Sequence, residues 1–145
     1  MFKELTGKFK RIEIHYFMEG QKKYIPVQEL KVYQLSRELS SKAWEIYVKL
    51  SFEQKKLFGD QFLRAIDSIG ANIAEGYARY HALDQVRFYH VARASMSEAI
   101  NHWASLLLER KVISDTDYSF LFEKSKELEI KLNNFISTTR KSIEK

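Results

Sequence analysis

From Val27 onward, apolar residues recur at steps of three and four. Val32, Leu35, Leu39, Ala43, Ile46 and Leu50 share one side of a helical repeat, the mark of an amphipathic helix that buries one face. Pro26 stands just ahead of them, where its missing N–H and fixed φ suit a first turn. Ser51-Phe-Glu-Gln54 reads as a capping box, with the serine side chain accepting from the backbone and the glutamine reaching back. A second stripe holds Phe58, Phe62, Ala65, Ile69 and Ile73 and ends near Ala78. After a break at Tyr80-His-Ala-Leu83, a third carries Phe88, Ala92, Ser95, Ala99, Trp103 and Leu106 and ends near Lys111. Asp84 in its first turn, and Arg110 with Lys111 at its close, complement the helix dipole. Ser114-Asp-Thr-Asp117 caps a fourth, whose Tyr118, Leu121, Ser125, Leu128, Leu132, Phe135 and Thr139 follow heptad spacing. Four such helices with short connections predict an all-α fold, an antiparallel up-down-up-down four-helix bundle over residues 27–141. Residues 142–145 are expected to fray.

Residues 1–26 have a different pattern. Phe9, Arg11, Glu13, His15 and Phe17 alternate with Lys10, Ile12, Ile14 and Tyr16, and Met18-Glu-Gly20-Gln is turn-like. This N-terminal extension reads either as a small hairpin or as a flexible or helical arm.

Composition narrows the class. A chain of 145 residues is one domain by default, and 45% hydrophobic content suffices for a core. One proline and five glycines leave little material for the turns of an all-β fold. Absence of cysteine excludes disulfides and thiolate metal sites and fits a reducing compartment. No apolar run approaches the roughly 18 residues of a membrane span, and the N-terminus lacks the apolar core of a signal peptide. The expected location is cytoplasmic. A net charge of +5 gives only weak support to a polyanionic partner.

The stretch Gln61 to Arg79 departs from a plain amphipathic helix, because Gly70, Asn72 and Gly76 interrupt its face. Glycine inside a helix costs about 1 kcal/mol relative to alanine, and a half-buried asparagine must find hydrogen bonds. Close helix–helix approach would compensate. Leu30-Lys-Val-Tyr33, the segment Ser68-Ile-Gly-Ala-Asn-Ile-Ala-Glu-Gly76, and Phe88-Tyr-His-Val-Ala92 with Ala94, Ser95 and Glu98 together resemble the family called "four helix bundle protein". That family includes the proteins encoded by intervening sequences in bacterial 23S ribosomal RNA genes. It is also similar to the accessory variability proteins of diversity-generating retroelements. The resemblance covers about residues 30 to 136 and leaves the N-terminal extension outside. Ala94 stands where the family often has glycine. The resemblance implies an antiparallel bundle assembled into a ring-like homopentamer, with no known enzymatic activity. It implies partners of two kinds: the retroelement relatives bind a reverse transcriptase and nucleic acid, and the genetic setting of the intervening-sequence proteins suggests an RNA connection.

Three groups of residues are candidates for function. Ser68, Asn72, Glu75, Gly76 and Arg79 either present a polar site or serve packing, with Asn72 and Ser68 bonded inside the bundle and Glu75 paired to Arg79 at i,i+4. The packing reading is the stronger. Arg79, Tyr80, His81, Arg87, Tyr89, His90 and Arg93 interleave cations with aromatics, as single-stranded RNA binding requires. A solvated face with interface aromatics is the alternative. Lys8, Lys10 and Arg11, with Lys3, Lys22 and Lys23, make the N-terminal extension basic, either to grip a phosphate backbone or to protect an exposed edge.

Metal and catalytic chemistry find little support. Glu98 and His102 are spaced i,i+4, whereas di-iron bundles use Glu-x-x-His on two helices. No Gly-rich phosphate loop or nucleophile elbow is present. No cofactor or metal is expected, and neither is an enzyme. Trp44, Trp103, Phe120 and Phe122 exceed what one core can absorb, which favours an intersubunit interface. The expected function is that of an oligomeric, nucleic-acid-binding accessory protein, with RNA or DNA as ligand. The alternative is a protein–protein scaffold, for example a reverse-transcriptase partner.

Overall fold

The computed structural model describes residues 24–144. The N-terminal hairpin-or-arm reading, with Lys8, Lys10 and Arg11, falls outside these residues. Pro26 caps a single 3-10 turn, Val27–Glu29, that leads into helix α1, Lys31–Val48. Helix α2 spans 52–77, α3 spans 82–109, and α4 is Asp115–Lys141. Each packs on its neighbours in the ring α1, α2, α3, α4, giving the up-down-up-down bundle that the periodicity predicts.

The helix starts are built as the sequence implies. Ser51 Oγ accepts from the backbone N–H of Gln54 at 3.1 Å, while the Ser51 N–H donates to Gln54 Oε1 at 2.9 Å, completing the capping box. Ser114 Oγ accepts from the Asp117 N–H at 3.1 Å and opens α4. Helix α3 closes with a Schellman motif: Val112 N–H bonds Leu107 C=O at 2.8 Å and Lys111 N–H bonds Leu108 C=O at 2.9 Å. That motif needs a left-handed residue, and Lys111 takes the position with φ of 56°.

All of the expected core positions on α1 and α2 are buried, from Val32 to Leu50 and from Phe58 to Ile73. Three corrections concern the other pair. In α3 the wide π turn Glu98–Ala104 inserts one residue into the helical repeat. The core stripe therefore continues through Ile100, Ala104 and Leu107, while Trp103 and Leu106 are rotated to half-buried positions. Earlier in α3, Tyr89 rather than Phe88 fills the core. In α4 a strict heptad drifts against the 3.6-residue turn over a long straight helix. Ile136 is buried where Phe135 and Thr139 were expected, and both of those are half-buried.

Glycine does two distinct jobs at the seams of α2. A Cβ on Gly70 would lie 2.8 Å from Ser36 Oγ of α1, and one on Gly76 would lie 2.7 Å from Tyr89 Cε1 of α3. These separations show why the helix accepts the propensity cost of glycine. No helix of the described residues is long and apolar enough to cross a membrane.

Candidate nucleic-acid interface

The polar residues of the α2 signature face the α3 seam and bond one another. Asn72 Nδ2 donates to the Ser68 carbonyl at 2.7 Å and to Ser68 Oγ at 3.0 Å. Ser68 Oγ in turn lies 3.0 Å from Ser95 Oγ of α3. This chain satisfies groups that would otherwise be costly to bury. Glu75 and Arg79 form the i,i+4 ion pair on the exposed side. The packing reading of Ser68, Asn72, Glu75 and Gly76 accounts for each of these contacts.

The basic and aromatic candidates divide between two places. At the α2–α3 turn, the Arg79 guanidinium sits 4.7 Å above the Phe88 ring as well as pairing with Glu75. Gln85 Nε2 donates to the Arg79 carbonyl at 2.7 Å and fixes the turn. Tyr80 is 93% exposed, and its ring meets His81 edge-on at 5.1 Å. Arg87, one turn into α3, pairs loosely with Asp84 at 3.3 Å. This corner therefore offers one free aromatic face and two cations, each already sharing a carboxylate.

His90 and Arg93 lie further along α3, on its seam with α4. Arg93 Nη1 donates to Asn133 Oδ1 at 3.0 Å, and Arg140 Nη2 lies 2.8 Å from His90 Nε2. A guanidinium has no acceptor, so Arg140 donates and the neutral imidazole carries its proton on Nδ1. Partial burial, Arg93 and Arg140 together hold the His90 pKa below its ordinary value. Neither His90, Arg93 nor Arg140 has a carboxylate partner among the described residues.

Tyr89 does not belong to this surface. It is fully buried against Phe135, with ring centroids 5.0 Å apart, and no base can stack on it. Arg140 and Asn133 were missed by the sequence reading. They are seven residues apart on one face of α4, a spacing that carries meaning only once α4 is set in register beside α3.

Glu98 and His102 are not joined as an acid–base pair. Glu98 Oε1 accepts from Trp103 Nε1 at 3.1 Å across the π turn, and His102 packs edge-on to the same indole. Among the described residues no cluster of histidine, aspartate and glutamate could hold a metal ion. Apolar surface is concentrated elsewhere, at the α1–α2 corner, where Trp44, Val48, Phe52 and Leu57 are exposed. Trp44 stacks on Tyr47, whose hydroxyl donates to Asp60 Oδ1 at 2.7 Å. Phe120 and Phe122 are also exposed on α4.

Comparison with known proteins agrees with this architecture. No curated protein matches the chain. It is similar to a crystal structure of a protein with unknown function from the S23 ribosomal protein family of Bacteroides thetaiotaomicron VPI-5482. The two share 28% identity with a TM-score of 0.66, over 72% of this chain and 97% of that one. The model of the 23S rRNA-intervening sequence proteins matches residues 28–134, which span the bundle up to the last turns of α4. The chain belongs to the 23S rRNA-intervening sequence protein family.

Proposed function

We propose that the protein is a non-enzymatic, RNA-associated accessory factor that acts as a homo-oligomer in the cytoplasm. The observation that carries this reading is the presence of cations in two places, the α2–α3 turn and the α3–α4 seam. Arg79 and Arg87 stand at the turn with Tyr80 exposed beside it, and Arg93 and Arg140 stand on the seam. Guanidinium groups suit phosphate, and an open aromatic face suits an unpaired base. The family's connection to a ribosomal RNA gene supports RNA over DNA. Oligomerisation would multiply a modest monomer charge into an extended basic surface. The exposed Trp44, Phe120 and Phe122 support self-association, since such side chains commonly mark interfaces.

The test is fluorescence anisotropy of nuclease-treated protein with a labelled structured RNA at low and physiological salt, with mass by light scattering. Tight binding by an oligomer, weakening steeply with salt, is expected. Charge reversal at Arg79, Arg87 and Arg93 should weaken binding about equally across RNA sequences. Absence of binding at low salt would overturn the reading.

A second reading is favoured by the α1–α2 corner. Four exposed apolar side chains there, Trp44, Val48, Phe52 and Leu57, would suit a protein partner. In that case the protein is a scaffold, for instance for a reverse transcriptase. It would then co-purify with one specific protein and show little salt-sensitive RNA affinity.

A further inference from the structure

Two rungs cross the seam between α3 and α4. Arg93 reaches Asn133 at 3.0 Å, and Arg140 reaches His90 at 2.8 Å. Donors accumulate here without matching acceptors. Asn133 Oδ1 accepts from Arg93, so its amide nitrogen is left to donate outward. Each guanidinium has five N–H groups and spends one of them on its rung. A polar groove of about 300 Å³ continues from His90 and Arg93 toward Ser97, Asn101 and Ser125. The only carboxylate among the described lining residues, Glu129, lies one helical turn from Asn133 and is held by Lys126 at 3.0 Å.

We propose that Arg93, Arg140, Asn133 and His90 form a phosphate site on the α3–α4 seam. The site deepens the RNA reading above and rests on it in taking a backbone phosphodiester as the natural ligand. Two forked guanidiniums flanked by an amide and an imidazole donate in several directions at once. That suits a tetrahedral oxyanion with acceptors on every side, whereas a planar carboxylate would use one fork. His90 adds a response to protons. Protonating Nε2 breaks its bond from Arg140 and places a third cation beside two others, from both helices that face it. A phosphate between the rungs reverses this cost, because it favours the imidazolium as a further donor. Ligand binding and His90 protonation therefore assist one another.

The experiment follows the His90 imidazole by NMR in the isotope-labelled full chain, titrated with and without inorganic phosphate. In parallel, anisotropy with a labelled oligouridylate compares wild type with Arg93→Gln, Arg140→Gln, Arg140→Lys and His90→Gln. Inorganic phosphate, the oligouridylate or both should raise the His90 midpoint. Each Arg→Gln change should reduce the slope of log affinity against log salt by about 1, and Arg140→Lys should keep it. Wild-type affinity should rise as pH falls from about 7 to about 5, more than in His90→Gln. An unmoved His90 midpoint with both ligands, or full salt slopes in both glutamine variants, overturns the site. An oligoglutamate that shifts His90 as strongly as phosphate also overturns the assignment, in favour of an acidic protein partner. A midpoint raised by inorganic phosphate with no RNA bound at all would sink the RNA reading and leave this site standing. RNA bound with His90 unmoved would do the reverse.

Discussion

Gly76 of α2 lies against the edge of Tyr89 of α3, so closely that a β-carbon on the glycine would stand 2.7 Å from Tyr89 Cε1. It would also stand 2.8 Å from Phe88 Cβ, an atom tied to the backbone that cannot swing aside. Gly76→Ala is expected to destabilise the bundle. Overpacking of a fitted contact costs about 1–3 kcal/mol, against a gain of about 1 kcal/mol in helix propensity. Chemical denaturation would show a net loss of about 1 kcal/mol or more; a rise in stability would mean that α2 and α3 separate freely. Gly70→Ala should be milder, because its nearest neighbour is the Ser36 hydroxyl, which can rotate.

The same tyrosine carries a hydroxyl that is buried and has no partner among protein atoms. Burial raises its pKa strongly, with a smaller contribution from Tyr77. An unpaired buried polar group costs about 1–3 kcal/mol. Tyr89→Phe keeps the ring contact with Phe135 at its present 5.0 Å spacing and removes the hydroxyl. Stability is expected to rise by about 1 kcal/mol, read from the denaturation midpoint. A loss of similar size would show that the hydroxyl finds a water or a partner subunit.

How far the sequence could be read follows from what each element depends on. Every expected core position of helices α1 and α2, Val32 to Leu50 and Phe58 to Ile73, is buried. The π turn Lys55–Gly59 lies at the start of the α2 stripe and leaves the step from Phe62 onward regular; the buried Ile66 was left out. The capping serines, Ser51 and Ser114, were legible because their bonds are local. The α3 stripe held from Ala92 through Ala99 and failed at Trp103 and Leu106, since a π turn depends on tertiary packing and has no local signature comparable to a cap. Phe135 and Thr139 were misplaced because heptad counting ignores the drift of a straight helix. The family signature was legible as a packing device, but Tyr89, counted among the surface aromatics, lies inside. Arg140 and Asn133 remained hidden, because only the α3–α4 register brings them to His90 and Arg93.

Lys111 holds the left-handed position that ends α3, with φ of 56°. A side chain in that conformation costs about 1–2 kcal/mol, and glycine occupies it without strain. The Schellman bonds come from backbone atoms and survive the change. Lys111→Gly is therefore expected to stabilise the protein by about 1 kcal/mol, with part of the gain lost to the freer unfolded chain. Unfolding midpoints compared with Lys111→Ala would check this. Alanine keeps the strained conformation and should give no such gain.

His90 sets the direction of an acid response. Partial burial first, then Arg93 and Arg140, lower its pKa in the folded chain from the ordinary 6.5. The unfolded chain, which lacks these neighbours, binds the proton more readily. Stability rises with pH wherever the unfolded state holds more protons. The contribution of His90 is thus intact above about pH 6.5, the ordinary histidine value, and is lost progressively as pH falls through that value toward the lowered one. Thermal unfolding followed at pH 7.5 and at mildly acidic pH should show a drop in midpoint that is smaller in His90→Gln. Arg140→Gln should also reduce it, by removing one of the two cations that oppose the imidazolium. An identical acid response in all three proteins would show that the seam does not sense the proton. A phosphate bound between the rungs should diminish the wild-type drop, because it favours the charged imidazole that the free seam resists.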